Sequence, residues 1–112
     1  MNQKTINMNN SNTSTIVTCF DNGTEVREYH AIIQVTAGSL PWAQQLDAVM
    51  SAYQELLSSV PDAQAVFKRY FLSDAANQAD DVVVADVTDC AKSIIQQAPL
   101  NGTKIALWVW TT

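Results

Sequence analysis

The sequence predicts an α+β fold, a two-layer sandwich in which a mixed β-sheet carries two helices on one face, in the order ββ-α-β-α-ββ. Three observations predict it. Two strand-like runs flank an Asn-Gly turn over residues 15–35, and apolar side chains recur at three- and four-residue steps over residues 41–60. The run Ile105–Trp110 is apolar on both of its faces.

The length of 112 residues is that of one domain. Residues 1–13 are rich in Asn, Ser and Thr, so we expect a flexible N-terminal segment followed by a single domain over residues 14–112. Two alternatives stay open: a complete small protein, or one module of a longer one.

The first two strands are predicted to form a hairpin. Thr15–Phe20 is one strand and Val26–Val35 the other, with the Asn22-Gly23 turn between them. Alternation in the second strand places Tyr29 and every second residue after it on one face, and His30 on the other.

The first helix is the clearest element. Pro41 suits a first helical turn, the apolar stripe runs from Trp42 to Val60, and Pro61 ends it. A third strand follows over Ala65–Leu72.

That third strand carries Lys68 and Arg69, which alternation places on opposite faces. A buried strand tolerates such charges only if they have partners, so each is expected to pair with a carboxylate of the protein or of a ligand.

A second helix is predicted over Ala75–Val87 from its Asp-rich beginning, against the strand-like composition of residues 81–85. Two final strands flank an Asn101-Gly102 turn. Because neither face of the last strand is polar, we expect another subunit or domain to cover the second face of the sheet, with Trp108 and Trp110 at that interface.

Charge and composition argue against nucleic acid, metal ions and membranes as partners. The net charge is −5 and the six basic residues are scattered, which disfavours nucleic acid as a partner. Cys19 and Cys90 lie far apart and His30 is the one histidine, so no metal site and no cofactor is predicted. The sequence shows no signal peptide and no membrane-length apolar run, so we expect a cytoplasmic protein with no membrane partner.

Several segments together resemble the RidA (YjgF) family, whose members have the chorismate-mutase-like fold. They are the amphipathic helix around Leu46–Leu57, the strand end Phe71-Leu72-Ser73-Asp74, and Ala91-Lys92-Ser93 leading through Pro99 into Lys104-Ile105. The resemblance covers residues 15–112 and is nearest to the divergent, chorismatase-like branch. It implies a homotrimer, or a pseudo-trimer of two-module chains, with small carboxylate ligands held in clefts between subunits.

Three departures from the family pattern concern its chemistry. The deaminases of the family hold the substrate carboxylate with an arginine where this chain has Lys92, which supplies charge without the planar fork. Their last strand carries a glutamate near the position of Ala106, and their Ser-Gly-Gln element is replaced by Tyr29-His30-Ala31. Without that glutamate, the attacking water has no evident base.

Four residues are the predicted carboxylate-binding set. Lys92 stands at the family's anchoring position, Arg69 and Gln96 are expected to line the cleft, and Asn77 either caps the second helix or reaches the cleft. No catalytic residue is assigned, and His30 is expected to be an ordinary strand histidine.

The predicted function is that of a RidA-like carboxylate-binding protein with an altered site; whether it is an enzyme stays open, and an enzyme would be a hydrolase, either a deaminase acting on reactive enamine and imine intermediates or a chorismatase-like enzyme. The alternatives are a non-catalytic oligomeric ligand-binding module and the N-terminal half of a chorismatase-like enzyme.

Overall fold

A computed structural model of the chain describes residues 2–9, 12–21, 27–59, 64–86, 90–97 and 102–111. Within these residues the structure contains six strands and two helices. In chain order they are β1 Asn2–Asn9, β2 Thr13–Asp21, β3 Arg27–Val35, α1 Trp42–Ser59, β4 Ala65–Leu72, α2 Ala75–Ala85, β5 Ala91–Gln96 and β6 Ile105–Thr111.

The strands form a single mixed sheet in the order β1-β2-β3-β6-β4-β5. Neighbouring strands are antiparallel except for β4 and β5, which are parallel. A parallel pair needs a long crossover connection, and α2 provides it. The predicted fold class, a mixed sheet with two helices, is confirmed.

The core lies between the sheet and the helices. Val49, Tyr53 and Leu56 of α1 and Val82 of α2 pack with apolar strand residues that are almost fully buried, Ile33, Val35, Tyr70, Leu72, Ile105, Leu107 and Val109. The α1 residues recur at the spacing of one helical face, and the strand residues alternate along their strands. We call this the helix-covered face of the sheet.

The N-terminal segment differs from the prediction of flexibility over residues 1–13. Asn2–Asn9 forms the edge strand β1, antiparallel to β2, with Asn2 opposite Asp21 and Asn9 opposite Ser14. Strand pairing uses backbone N–H and C=O groups. The alternation of apolar residues therefore does not reveal a strand as polar as β1.

The last two strands do not pair with each other. Of the Asn101-Gly102 turn that the sequence predicts between them, Asn101 lies outside the described residues. Gly102 has a φ of 77°, the left-handed conformation that glycine adopts readily. However, β6 pairs with β3 on one side and β4 on the other, so β4 separates it from β5. A central position explains why β6 is apolar on both faces.

The predicted turn at Asn22-Gly23, the helix end predicted at Pro61, and Pro99 of the segment that resembles the RidA family all lie outside the described residues. The second helix ends at Ala85, short of the predicted Val87, because the backbone of Asp86 is already extended, with φ −93° and ψ 98°. Within the described residues, neither helix is long and apolar enough to cross a membrane.

Candidate functional site

Strand β4 presents two basic residues to two different environments. Lys68 lies opposite Val109 of β6 and faces the helices, whereas Arg69 lies opposite Trp108 and faces away from them. The side chains of consecutive strand residues alternate between faces, so this separation follows directly from the sequence. The site is therefore described one face at a time.

On the helix-covered face Lys68 is fully buried and fully engaged. Its Nζ donates to Oδ2 of Asp86 at 3.0 Å and lies 3.7 Å from the centre of the Tyr53 ring in α1. The carboxylate and the π face of the ring together replace the water that the ammonium group loses on burial.

Asp86 also accepts from two further residues. The Tyr70 hydroxyl donates to Oδ2 at 2.5 Å. Lys92 of β5 donates to the backbone carbonyl oxygen of Asp86 at 3.0 Å, and its Nζ lies 3.6 Å from Oδ1. We call Tyr53, Lys68, Tyr70, Asp86 and Lys92 the charge cluster.

Burial shapes the protonation of this cluster. Desolvation lowers the pKa of Lys68, against the opposing effect of its hydrogen bond to Asp86. Desolvation likewise raises the pKa of Tyr53 to about 12, and it raises the pKa of Tyr70 further, together with the hydrogen bond to Asp86. Both tyrosines therefore stay neutral at physiological pH.

The charge cluster is occupied by its own internal contacts. The Lys68 and Asp86 side chains are 1% and 0% exposed, so a small ligand cannot reach them, whereas the Lys92 side chain is 24% exposed. Lys92 was the predicted carboxylate anchor, but its ammonium group is directed at Asp86 and shares no face with Arg69. Lys92 thus contacts Asp86 on the helix-covered face of the sheet.

The opposite face of the sheet has no helix over it within the described residues. We call it the open face. It carries exposed apolar side chains, among them Ile16 and Ile32, which are each 45% exposed. Its centre is formed by His30, Ile32, Phe67, Arg69, Trp108 and Trp110.

Arg69 lies among rings on the open face. Its guanidinium carbon is 5.5 Å from the centre of the Phe67 ring and 5.8 Å from that of Trp108. Its Nε is buried without a hydrogen-bond partner. Within the described residues no carboxylate pairs with this guanidinium, so it is a cation in a largely apolar setting that lacks its counterion.

A second unpartnered donor lies on the same face. The indole Nε1 of Trp110 is buried and makes no hydrogen bond. Trp110 is opposite Phe67, and Arg69 is the next residue of β4 on that face, so the two residues are diagonal neighbours on adjacent strands. A buried donor left without a partner costs about 1–3 kcal/mol. Two such donors side by side favour an acceptor from outside the chain.

His30 and Glu28 complete the polar groups of the open face. His30 Nε2 lies 3.9 Å from Oε2 of Glu28, and the two side chains are 31% and 45% exposed. The imidazole stacks on Trp110 with ring centres 5.8 Å apart and is tilted against Trp108 at 5.7 Å. The sequence alone predicts an ordinary strand histidine at this position.

The other two predicted site residues lie away from Arg69. Gln96 is the exposed last residue of β5, in register with Leu72. Asn77 lies in the first turn of α2, where its amide nitrogen donates to Asp74 Oδ2 at 2.7 Å. This contact joins two side chains and caps no backbone group of α2, and of the predicted set Arg69 alone lies on the open face.

A surface groove of about 420 Å³ runs along α1. It contains Asp47 and Glu55 and no basic side chain, so it does not suit an anion. Its lining is Asn12, Leu40, Gln44, Asp47, Ala48, Ser51 and Glu55. No predicted site residue contributes to it.

Comparisons with models of protein families, with curated proteins and with solved structures return no match for this chain.

Proposed function

We propose that this chain is a RidA-like protein that binds small carboxylates through Arg69, in a crevice that the open face forms with neighbouring copies of the chain. The observation that carries the proposal is the guanidinium of Arg69, which is partly buried among rings and has no carboxylate partner among the described residues. Carboxylates match the planar fork of arginine.

The resemblance to the RidA family supports this proposal through the fold. It implies a mixed sheet with helices on one side, and clefts at the other side where copies meet. The exposed isoleucines and the partly buried aromatic side chains of the open face are of the kind that protein interfaces bury. We propose a homotrimer in the cytoplasm, where Cys19 and Cys90 stay thiols.

Within this proposal the carboxylate anchor moves from Lys92 to Arg69. Lys92 donates to the carbonyl oxygen of Asp86 and lies close to its carboxylate on the helix-covered face, so its charge already has a partner within the protein. Arg69 has no carboxylate partner among the described residues. The bound carboxylate would supply the counterion that the arginine lacks.

The reaction we propose is the hydrolysis of imines and enamines derived from amino acids, as the resemblance implies. Ala106, close to the position where the deaminases carry their glutamate, favours a second candidate function. An apolar residue there removes the usual base, as in a non-catalytic ligand-binding module. Turnover of an amino-acid-derived imine separates these two functions.

Binding can be tested by the thermal shift that small 2-keto acids produce. A ligand that binds the native state raises the melting temperature. We expect Arg69→Gln to weaken binding roughly tenfold to a hundredfold, because the charge-assisted hydrogen bonds are lost. Arg69→Lys should recover part of the affinity.

The matched control for this experiment is Lys92→Ala, which removes a basic residue from the other face of the sheet. We expect its ligand-induced shift to equal that of the unmodified protein. A shift that persists in Arg69→Gln and disappears in Lys92→Ala would place the site on the helix-covered face and contradict the proposal.

The proposed assembly can be tested by sedimentation, together with acrylamide quenching of the tryptophans. The Trp42→Phe variant leaves Trp108 and Trp110 as the two indoles of the chain. We expect the mass of a trimer, with quenching that increases as the protein is diluted and the trimer dissociates. A monomer with freely quenched indoles at every concentration would contradict the shared crevice.

A further inference from the structure

We propose that His30, with Glu28 beside it, is the general base of the Arg69 site. The inference rests on the proposed function, because it needs a ligand carboxylate at Arg69. It adds the proton-transferring group that the apolar residue Ala106 does not provide.

The first support is the position of Trp108 between the two groups. Its ring centre lies 5.7 Å from that of His30 on one side and 5.8 Å from the guanidinium carbon of Arg69 on the other. A small ligand lying along the indole, with its carboxylate on Arg69, therefore extends towards the imidazole. Phe67, with its ring centre 5.8 Å from that of Trp108, adds an apolar wall.

The second support is accessibility. The His30 side chain is 31% exposed, so its imidazole can meet both a ligand and a water molecule. By contrast, the buried Lys68 and Asp86 can meet neither. The titratable side chains that the described part of the open face carries are Glu28, His30 and Arg69, and arginine does not act as a base in proteins.

The third support is the carboxylate of Glu28, 3.9 Å from His30 Nε2. An imidazole that takes up a proton becomes a cation, and a nearby carboxylate stabilises that cation. The groups that surround His30 from the neighbouring strand β6 are the uncharged rings of Trp108 and Trp110. Glu28 is accordingly the positioning residue of the pair.

In the proposed step, water adds to the imine carbon while His30 takes one proton from it. A C–O bond forms, and the π electrons of the C=N bond move to nitrogen. His30 then returns its proton to that nitrogen, which gives the carbinolamine. The hydroxyl proton next passes through His30 to the nitrogen while the C=O bond forms and the C–N bond breaks, so that ammonia leaves and the imine and one water give the carbonyl compound and ammonia.

The test measures binding and turnover separately, in the same variants. Binding is followed by the thermal shift with 2-keto acids, and turnover by ammonia release from an amino-acid-derived imine. We expect His30→Ala to keep the ligand-induced shift and to lower the rate constant for turnover by roughly 10²- to 10⁴-fold. Added imidazole should restore part of the rate in His30→Ala, because a free base can occupy the space of the lost ring.

Glu28→Gln is expected to lower kcat less than His30→Ala does, with KM and the ligand-induced shift unchanged, because the carboxylate beside the imidazole is gone. Ser14→Ala, on the neighbouring strand β2, is the matched control with unchanged binding and turnover. A purely structural histidine would give no rescue by imidazole, and that outcome overturns the proposal.

The failure of this inference differs from the failure of the proposed function. If the unmodified protein binds 2-keto acids through Arg69 but does not accelerate imine hydrolysis, or if His30→Ala keeps full turnover, the base assignment is wrong and carboxylate binding stands. If no 2-keto acid produces a shift, both proposals are wrong.

Discussion

Lys68 and Arg69 are adjacent in the sequence, yet the two faces of the sheet treat them in opposite ways. Lys68 is enclosed by Asp86 and the Tyr53 ring, and its exposure is close to zero. Arg69 lies among aromatic rings with a buried Nε that has no hydrogen-bond partner among the described residues. Strand β4 therefore carries one cation, Lys68, that has a carboxylate partner, and a second, Arg69, that has none in the described part of the chain.

The comparison shows which kind of buried charge points to a ligand. A charge that is matched inside the protein contributes to packing, and removing one partner exposes the cost of burying the other. A cation without a partner is costly in the folded chain unless something else binds to it. The helix-covered face is thus expected to determine stability, and the open face to determine binding.

The largest effect is expected from Asp86→Ala. It leaves Lys68 buried without its carboxylate, and breaking a buried pair in this way costs about 3–5 kcal/mol of unfolding free energy. Urea unfolding followed by circular dichroism measures it. Asp81→Ala is the control, because Asp81 accepts an exposed hydrogen bond from Trp42 at 2.8 Å and should matter far less. Equal losses in the two variants would mean that the charge cluster has no special role.

A smaller loss is expected from Tyr70→Phe, which removes the hydroxyl that donates to Asp86 Oδ2. Hydrogen bonds to charged groups contribute about 1.5–3 kcal/mol. Tyr53→Phe is the matched variant, because it keeps the aromatic ring beneath Lys68. Urea unfolding should show a clearly smaller loss for Tyr53→Phe, and the reverse order would contradict the assigned contacts.

Alkaline pH should weaken the helix-covered face. The pKa of Tyr53 is raised from 10.0 to about 12 by burial, so the stability linked to this group is complete below pH 10 and is lost as the pH rises towards 12. Lys68 acts in the opposite direction, because its lowered pKa means that the cost of its charge disappears as the pH rises.

The two raised tyrosines outnumber the one lysine, so we expect a net fall in unfolding free energy above pH 10. Urea unfolding at several pH values measures it. Tyr53→Phe should show a shallower fall than the unmodified protein, and an identical pH dependence in the two proteins would refute the assignment.

The smallest loss of stability is expected from Arg69→Met on the open face. It removes a partly buried cation and a buried Nε donor that have no carboxylate or hydrogen-bond partner among the described residues, so we expect no loss of unfolding free energy and a gain of up to about 1–3 kcal/mol. The same measurement on Lys68→Met should show a much larger loss, because Asp86 would keep its buried charge without its closest cation. Similar effects in the two variants would remove the contrast between the faces.

Local patterns predicted much of the fold. Strand β4 was predicted over Ala65–Leu72 and is found there, and α1 begins near Pro41 as expected. Alternation also placed Lys68 and Arg69 on opposite faces. These features depend on residues close together in the chain, where spacing and turn chemistry are informative.

Features that depend on distant residues could not be predicted in this way. Asp86 is the partner of Lys68 across 18 positions, and the sequence indicated the need for a partner without its identity. The insertion of β6 between β3 and β4 likewise depends on strand pairing over long separations. Alternation predicts on which face of the sheet His30 lies. Its contacts with Trp108 and Trp110, however, depend on the long-range pairing of β3 with β6.

The position of β6 has a consequence for how the chain reaches its native state. The meander of β1, β2 and β3 and the β4-α2-β5 unit can each form from nearby segments, but within the sheet they join through β6. Tyr29 pairs with Thr111 across most of the sequence, so this closure is a contact of very long range. Folding should therefore be slow for a domain of this size, because the rate is limited by the insertion of β6 between β3 and β4.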